Sequence, residues 1–392
     1  SGFDQRGEGF PRVQSGSPDQ GNPGTVDIGA VEFDPLLVTT LVDENDQTTD
    51  PSVGAGTSLR EAIEHSNRYP GIDYILFSRG EGDTTDFYAP GLKTIVLNSQ
   101  IRIRAGVDIF GPGEDLLSLS GDTDGNGEPN DRDTRLFNID PPFDRGEPMG
   151  AVIVREMTLE NGNPWSEGIL QQGGAIFNDG ANLTLWHVTL RNNSALDGGG
   201  IYNRGTLTLV SVTIDSNRAQ MRGGGVFTTL PGSVAGQLSA VTRNTGMYGG
   251  GIHIEGGAVD LANLTISSND AARGGGIYYT NGDVRLANTT IAENRASDSG
   301  GGGIEFGTVQ NPTFEIDNTI VAGNLAGTET QSPSDIIGLM EPGSVYNLIA
   351  DAATSGGLQD GVDGNIVGQA GDGTIPLPEI LEPLGDYGGR TE

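Results

Sequence analysis

"GGGIYNRGTLTLVSVTIDSNRAQMR", residues 198–222, is followed at once by "GGGVFTTLPGSVAGQLSAVTRNTGMY" (223–248) and "GGGIHIEGGAVDLANLTISSNDAAR" (249–273). The apolar residue behind the glycines recurs at Ile176, Ile201, Val226, Ile252, Ile277 and Ile304, with spacings of 25, 25, 26, 25 and 27. Inside each unit apolar residues stand at relative positions 0, 2, 5 and 7, and an asparagine follows three later, as in Leu207, Leu209, Val212, Ile214 and Asn217. The same frame places Asn193, Asn269, Asn294 and Asn324, while the third copy is blurred and keeps Val241 and Asn244. A step of two describes a strand whose alternate side chains face one way. The step of three between positions 2 and 5 breaks that alternation, so two short strands meet at a corner. A third strand begins behind the glycines. Three short strands per unit make one rung of a parallel β-solenoid, in which no rung can bury its apolar side chains alone.

Each residue type then has a task. Val, Ile and Leu stack on their copies in the next rung, about 4.8 Å away. Glycine at the corners permits positive φ and close backbone approach. Asparagine recurring at one corner predicts a ladder of side-chain amides through Asn193, Asn217, Asn244, Asn269, Asn294 and Asn324. The glycine motif recurs six times, as Gly-Gly-Ala in its first copy and as a triplet in the other five, and opens no helix, which argues against a phosphate cradle.

The frame extends outward from this core. "MGAVIVREMTLENGN" repeats it through Val152, Val154, Met157 and Leu159, and "KTIVLNSQIRIRAGVDIF" alternates in the same way, so the solenoid is expected over 93–350, with an insertion at 121–134. Residues 37–92 form a capping region whose "TSLREAIEHSNRYPG" predicts a helix over 57–67, with Ser58 as N-cap and Glu61 completing a capping box. Segments 1–36 and 351–392 flank these two. The expected fold class is all-β: a parallel β-helix with a short N-terminal capping helix.

Composition narrows the function classes. Of 392 residues, 21 are Lys or Arg and 53 are Asp or Glu, a formal net charge of −32. That charge repels nucleic acid and anionic membrane surfaces and suits a medium rich in screening cations. No apolar run approaches the ~20 residues that span a bilayer, so membrane insertion is not expected. With no cysteine, disulfides and thiolate metal sites are excluded. The reading is of a secreted, extracellular or cell-surface segment.

One stretch has the logic of a metal loop. In "DTDGNGEPNDRD", Asp122, Asp124 and Asn126 stand at positions 1, 3 and 5, Glu128 at 7, Asn130 at 9 and Asp133 at 12, with Gly127 at the sharp turn. This is the oxygen-ligand spacing of a Ca2+ loop, with aspartate where glutamate usually gives two-point coordination. "VDENDQTTD", with Asp43, Asp46 and Asp50, is a weaker second candidate. Catalysis is not expected: His65, His187 and His253 share no register, and no carboxylate pair stands out. Trp165 and Trp186 are more simply read as packing than as sugar platforms.

Several segments resemble known families. "LLVTTLVDENDQTTDPSVGAGTSLREAIEHSN" resembles the domain named for its Cys-Ser-Leu-Arg-Glu-Ala signature, with Thr57 in place of the cysteine and Ser58, Leu59, Arg60, Glu61 and Ala62 intact. The glycine–isoleucine and asparagine units resemble the repeats of polymorphic outer-membrane proteins, which are β-helical surface proteins and adhesins. "FDQRGEGFPRV…VDIGAVE", with Asp4, Arg6, Gly7, Asp27, Ile28 and Gly29, looks like the closing end of a choice-of-anchor module, and "LEPLGDYGGRTE", with Asp386 and Tyr387, looks like its opening. These resemblances imply a right-handed parallel β-helix on a bacterial surface, without an enzyme activity. The inverted order of the module's ends suggests that Asp386 and Tyr387 of one copy meet Asp4, Arg6 and Asp27 of the next, head to tail, in a fibre or tandem array. The alternative reading is an adhesin module that binds a surface glycan or protein, and a polysaccharide lyase or hydrolase is the third.

Overall fold

The computed structural model describes residues 35–381, except 70, 81, 83, 128, 142–148, 168–170, 308–312 and 329. The chain winds into a parallel β-solenoid of about nine turns, the expected fold class. Among the described residues a broad sheet has 17 strands, a middle sheet nine and a narrow sheet seven.

The rung over 201–225 shows how the sequence makes the shape. Ile201–Asn203 lies in the middle sheet, Thr206–Val210 and Thr213–Asp215 lie in the broad sheet, and Arg218–Arg222 lies in the narrow one. Leu207, Leu209, Val212 and Ile214 are buried, and Leu207, Leu209 and Ile214 lie in register with Leu183, Leu185 and Leu190 of the rung before and Val234, Gly236 and Val241 of the rung after. The three corners fall at Ser211, Ser216 and Gly223, with φ of 53°, 56° and 62°. Only the third is glycine. At the first two the side chain lies outside the core, and the stacked rungs hold a left-handed backbone that would cost about 1–2 kcal/mol in isolation.

The glycine triplet is a packing requirement. A Cβ on Gly224 would lie 2.2 Å from the Gly250 carbonyl oxygen and 2.5 Å from that of Thr245, and one on Gly225 would lie 2.8 Å from the Gly251 oxygen and 3.2 Å from the Asn244 amide nitrogen. The rungs therefore meet backbone to backbone at this corner, and the asparagine ladder fills the space behind it.

That ladder runs without a break. Asn193, Asn217, Asn244, Asn269, Asn294 and Asn324 are all at most 1% exposed. Each donates its side-chain N–H to the next asparagine's Oδ1, at 2.9–3.0 Å from Asn193 through Asn294. Asn324 ends the series on Asp335 Oδ1, at 2.9 Å. Asn178 and Asn203 begin a second, shorter ladder at the end of the middle strands, which passes to Thr228.

At each end of the solenoid one sheet edge is covered. Helix α1, Leu59–Arg68, starts at Ser58 with the expected capping box to Glu61 and packs on the first strands of the broad and middle sheets. It also closes the open edge of the middle sheet. Asn67 donates to the Arg102 carbonyl at 2.8 Å and accepts from Arg104 N at 2.7 Å. Arg60 donates to the carbonyls of Ser99 and Gln100 while gripping Asp43 with two bonds of 2.9 and 2.8 Å. At the other end Ser332–Pro333 turns back antiparallel on Leu325–Ala326, which stops the narrow sheet. The broad sheet extends beyond 93–350 in both directions, from Leu36–Val38 to Ile366–Val367, around one apolar core that runs from Val38 to Val367.

Candidate metal loop and the aromatic face

The insertion after the broad strand Leu117–Ser120 folds into a closed acidic loop. Asp122 organises it: Oδ1 accepts from Gly125 N at 2.8 Å and Asn126 N at 3.2 Å, and Oδ2 accepts from Gly127 N at 2.8 Å. Gly125 and Gly127 both have positive φ, 69° and 74°, which lets three successive N–H groups turn toward one carboxylate. Asp133 closes the loop by accepting from Asn130 N at 2.8 Å.

Single carboxylate oxygens of Asp122, Asp124 and Asp133 lie within 4.8 Å of one another, Asp122 and Asp133 being buried and Asp124 exposed. Among the described residues no other group of three acidic or histidine ligands converges in this way. Burial raises the pKa of Asp133, against the Asn130 N–H that lowers it, and the neighbouring charge of Asp122 raises it further. The donor set is all oxygen, which suits a hard divalent cation. Asp122 has about four lone-pair sites and uses three on backbone N–H groups, so it offers about one ligand. The residues fit a cation in charge and donor type. Asn130 donates to Asp124 at 3.4 Å and so belongs to the same cluster, Asn126 contributes its backbone N–H, and Glu128 lies outside the described residues.

The second acidic candidate does not form a site. Asp43 is held by Arg60 and accepts from Asn98 N at 2.7 Å, while Asp46 and Asp50 accept from the N–H two residues on, those of Thr48 and Ser52. Asp4, Arg6, Asp27, Asp386 and Tyr387 lie outside the described residues.

Sequence reasoning missed the outer face of the middle sheet. Because Ile201 and Asn203 point inward, Tyr202 points outward, and its copies form a row: Phe177, Tyr202, Phe227, His253, Tyr278 and Glu305. All are buried, at 1–7% exposure. Arg222 lies over Phe227 and Arg273 over Tyr278, at 4.5 and 5.5 Å from the ring centroids. Arg222 is bidentate to Asp197, at 3.0 and 2.9 Å, and reaches Glu255 at 2.6 Å. His253 is packed edge-on against Phe227 and Tyr278, both at 5.1 Å, and neither ring nitrogen makes a well-formed hydrogen bond. Burial, helped by the Arg222 charge and opposed by the Tyr248 backbone, lowers its pKa to about 3. The signal was available: the residue after the Ile or Val that follows the glycines is aromatic or histidine in five consecutive rungs.

The other histidines sit elsewhere. His187 bonds Glu156 at 2.6 Å and accepts from the half-exposed Trp186 at 3.1 Å, and His65 is on α1.

No family model and no curated protein matches the chain. Among solved structures it is similar to the A-module of the mannuronan C-5 epimerase AlgE6 from Azotobacter vinelandii, at 14% identity and a TM-score of 0.36, over 81% of this chain and 91% of that one. The likeness is one of fold. It corrects the expectation that the chain is not an enzyme, because the solved structure it matches is a module of an enzyme; a β-helix of this kind is no ground for excluding catalysis.

Proposed function

We propose that this chain is an extracellular structural module: a stiff acidic β-helix rod, held by Ca2+ at its insertion loop and joined head to tail into a surface fibre or tandem array. The observation that supports the rod is the unbroken ladder from Asn193 to Asp335 alongside a single core, so that bending at any rung would break buried hydrogen bonds. Asp122, Asp124 and Asp133 would hold the ion, with Asn130 beside them, and its charge would offset their mutual repulsion and tie the insertion to its rung.

α1 closes the first edge of the middle sheet and the antiparallel turn at Ser332–Pro333 stops the narrow sheet, so joining by direct strand stacking is disfavoured at these two edges. Assembly therefore falls to the segments holding Asp4, Arg6, Asp27, Asp386 and Tyr387. Electron microscopy of the purified chain, with Ca2+ and then with chelator, tests this. Fibres with an axial repeat near one solenoid length support it, and single short rods under both conditions overturn the assembly. For the ion, calorimetry should show Ca2+ uptake by the wild type and none by Asp122→Ala; no heat from the wild type refutes the metal loop.

A further inference from the structure

The spacing from Ile277 to Ile304 is 27, against 25 for the preceding rung. The added length falls at Ser297–Gly300, ahead of the glycine triplet, and it leaves an open groove of about 700 Å3 on the outside of the solenoid. Arg273, Ser297, Asp298, Ser299, Gly300 and Glu305 line it. The volume falls within the ~300–1,000 Å3 typical of ligand clefts.

The groove is pre-formed. Glu305, 1% exposed, accepts from Gly274 N at 2.9 Å, Gly301 N at 3.1 Å and Arg273 Nε at 2.7 Å, so one carboxylate fixes two turns and a guanidinium. A Cβ on Gly300 would lie 2.0 Å from Glu305 Oε2, so this wall has no room for a side chain. Ser297 and Asp298 are pinned through their backbone N–H groups to the carbonyls of Ala271 and Ala272, at 2.8 and 2.9 Å. Arg273 stacks over Tyr278, and its side chain keeps 43% exposure, so part of its fork faces solvent in a fixed orientation.

The chemistry selects a class of ligand. Ser297 and Ser299 offer hydroxyls, Asp298 offers acceptors and Arg273 offers planar donors. Glu305 neutralises Arg273, Asp298 adds a negative charge, and the whole chain carries −32. An anionic ligand would meet no net positive charge there. We propose that this groove binds an uncharged oligosaccharide, whose hydroxyls pair with Arg273, Ser297, Ser299 and Asp298. This goes beyond the structural role: the rod would also hold a glycan along its side.

The test is calorimetry of the full chain against neutral hexasaccharides with gluco, xylo, manno and galacto backbones, and against hexagalacturonate. Saturable binding of a neutral member is expected. Ser299→Trp, which fills the groove while leaving the Arg273–Glu305 pair intact, should weaken it by about ten-fold or more, as should Arg273→Gln. Three results overturn the proposal: no neutral member binds, only the acidic saccharide binds, or neutral binding is unchanged in a folded Ser299→Trp.

Discussion

The asparagine ladder makes a quantitative demand on Asn269, which sits at its middle and is fully buried. Its Oδ1 accepts from Asn244 N at 2.9 Å and Asn244 Nδ2 at 3.0 Å, and its Nδ2 donates to the Val241 carbonyl and to Asn294 Oδ1, both at 2.9 Å. Asn269→Ala removes all four bonds at once. Asn294 Oδ1 keeps a donor in the Asn269 backbone N–H, at 3.0 Å, so the buried groups left short are two donors on Asn244 and the Val241 oxygen. At about 1–3 kcal/mol for each buried unsatisfied group, the loss should be about 3–6 kcal/mol after some relaxation. A solenoid can open one rung at a time, so the assay should be local: amide hydrogen exchange across residues 241–294, with urea unfolding alongside. Protection should fall in the rungs on both sides of residue 269, since each amide serves two rungs. Exposed Asn281→Ala is the control, expected within about 0.5 kcal/mol of wild type. A loss below about 1 kcal/mol for Asn269→Ala, or exchange that rises in one rung only, would refute the ladder as a cooperative element.

Four further substitutions, one of them a control, test separate parts of the fold. His253→Phe should stabilise the chain at neutral pH by about 1–3 kcal/mol, because it removes two buried ring nitrogens without good partners from an aromatic stack. The pH dependence has a definite sign. The folded pKa of about 3 lies below the usual 6.5, so between those values the unfolded chain binds a proton that the folded chain excludes. This residue therefore costs stability progressively as pH falls from about 7 to 3, by up to roughly 5 kcal/mol. The gap in melting temperature between His253→Phe and wild type should widen through that window; a constant gap would refute it. Gly224→Ala should destabilise by more than about 3 kcal/mol because its Cβ meets only backbone, whereas Gly361→Ala, at φ 73° with open space around it, should cost about 1 kcal/mol. Equal losses in thermal unfolding would show that the triplet is not sterically required. Arg60→Ala should cost about 3–5 kcal/mol, because it strands the buried Asp43 carboxylate and exposes the Ser99 and Gln100 carbonyls. An unchanged unfolding midpoint would remove α1 from the role of end cap.

What could be read from the amino acids was whatever repeats. Leu207, Leu209, Val212 and Ile214 are legible as core because the same apolar positions recur in most rungs, and Asn217 because a buried amide stacked on a copy of itself one rung away finds its partner there. The capping box at Ser58 and Glu61 was legible because it is closed within four residues. What escaped lies outside the period. Corners at Ser211 and Ser216 hold positive φ without glycine, since the neighbouring rungs rather than the local sequence impose that backbone. His253 looked like a scattered histidine because its neighbours in space, Phe227 and Tyr278, are a full rung away on either side, and its burial depends on narrow-sheet side chains such as Tyr248 folding over it. The groove at Arg273 and Glu305 arises where the count slips from 25 to 27. In the regular rungs the ladder amides bury their own chemistry, because each finds its partner in its copy. A rung that breaks the period leaves donors and acceptors that no copy can satisfy, and such irregularities are where ligand recognition should be sought first.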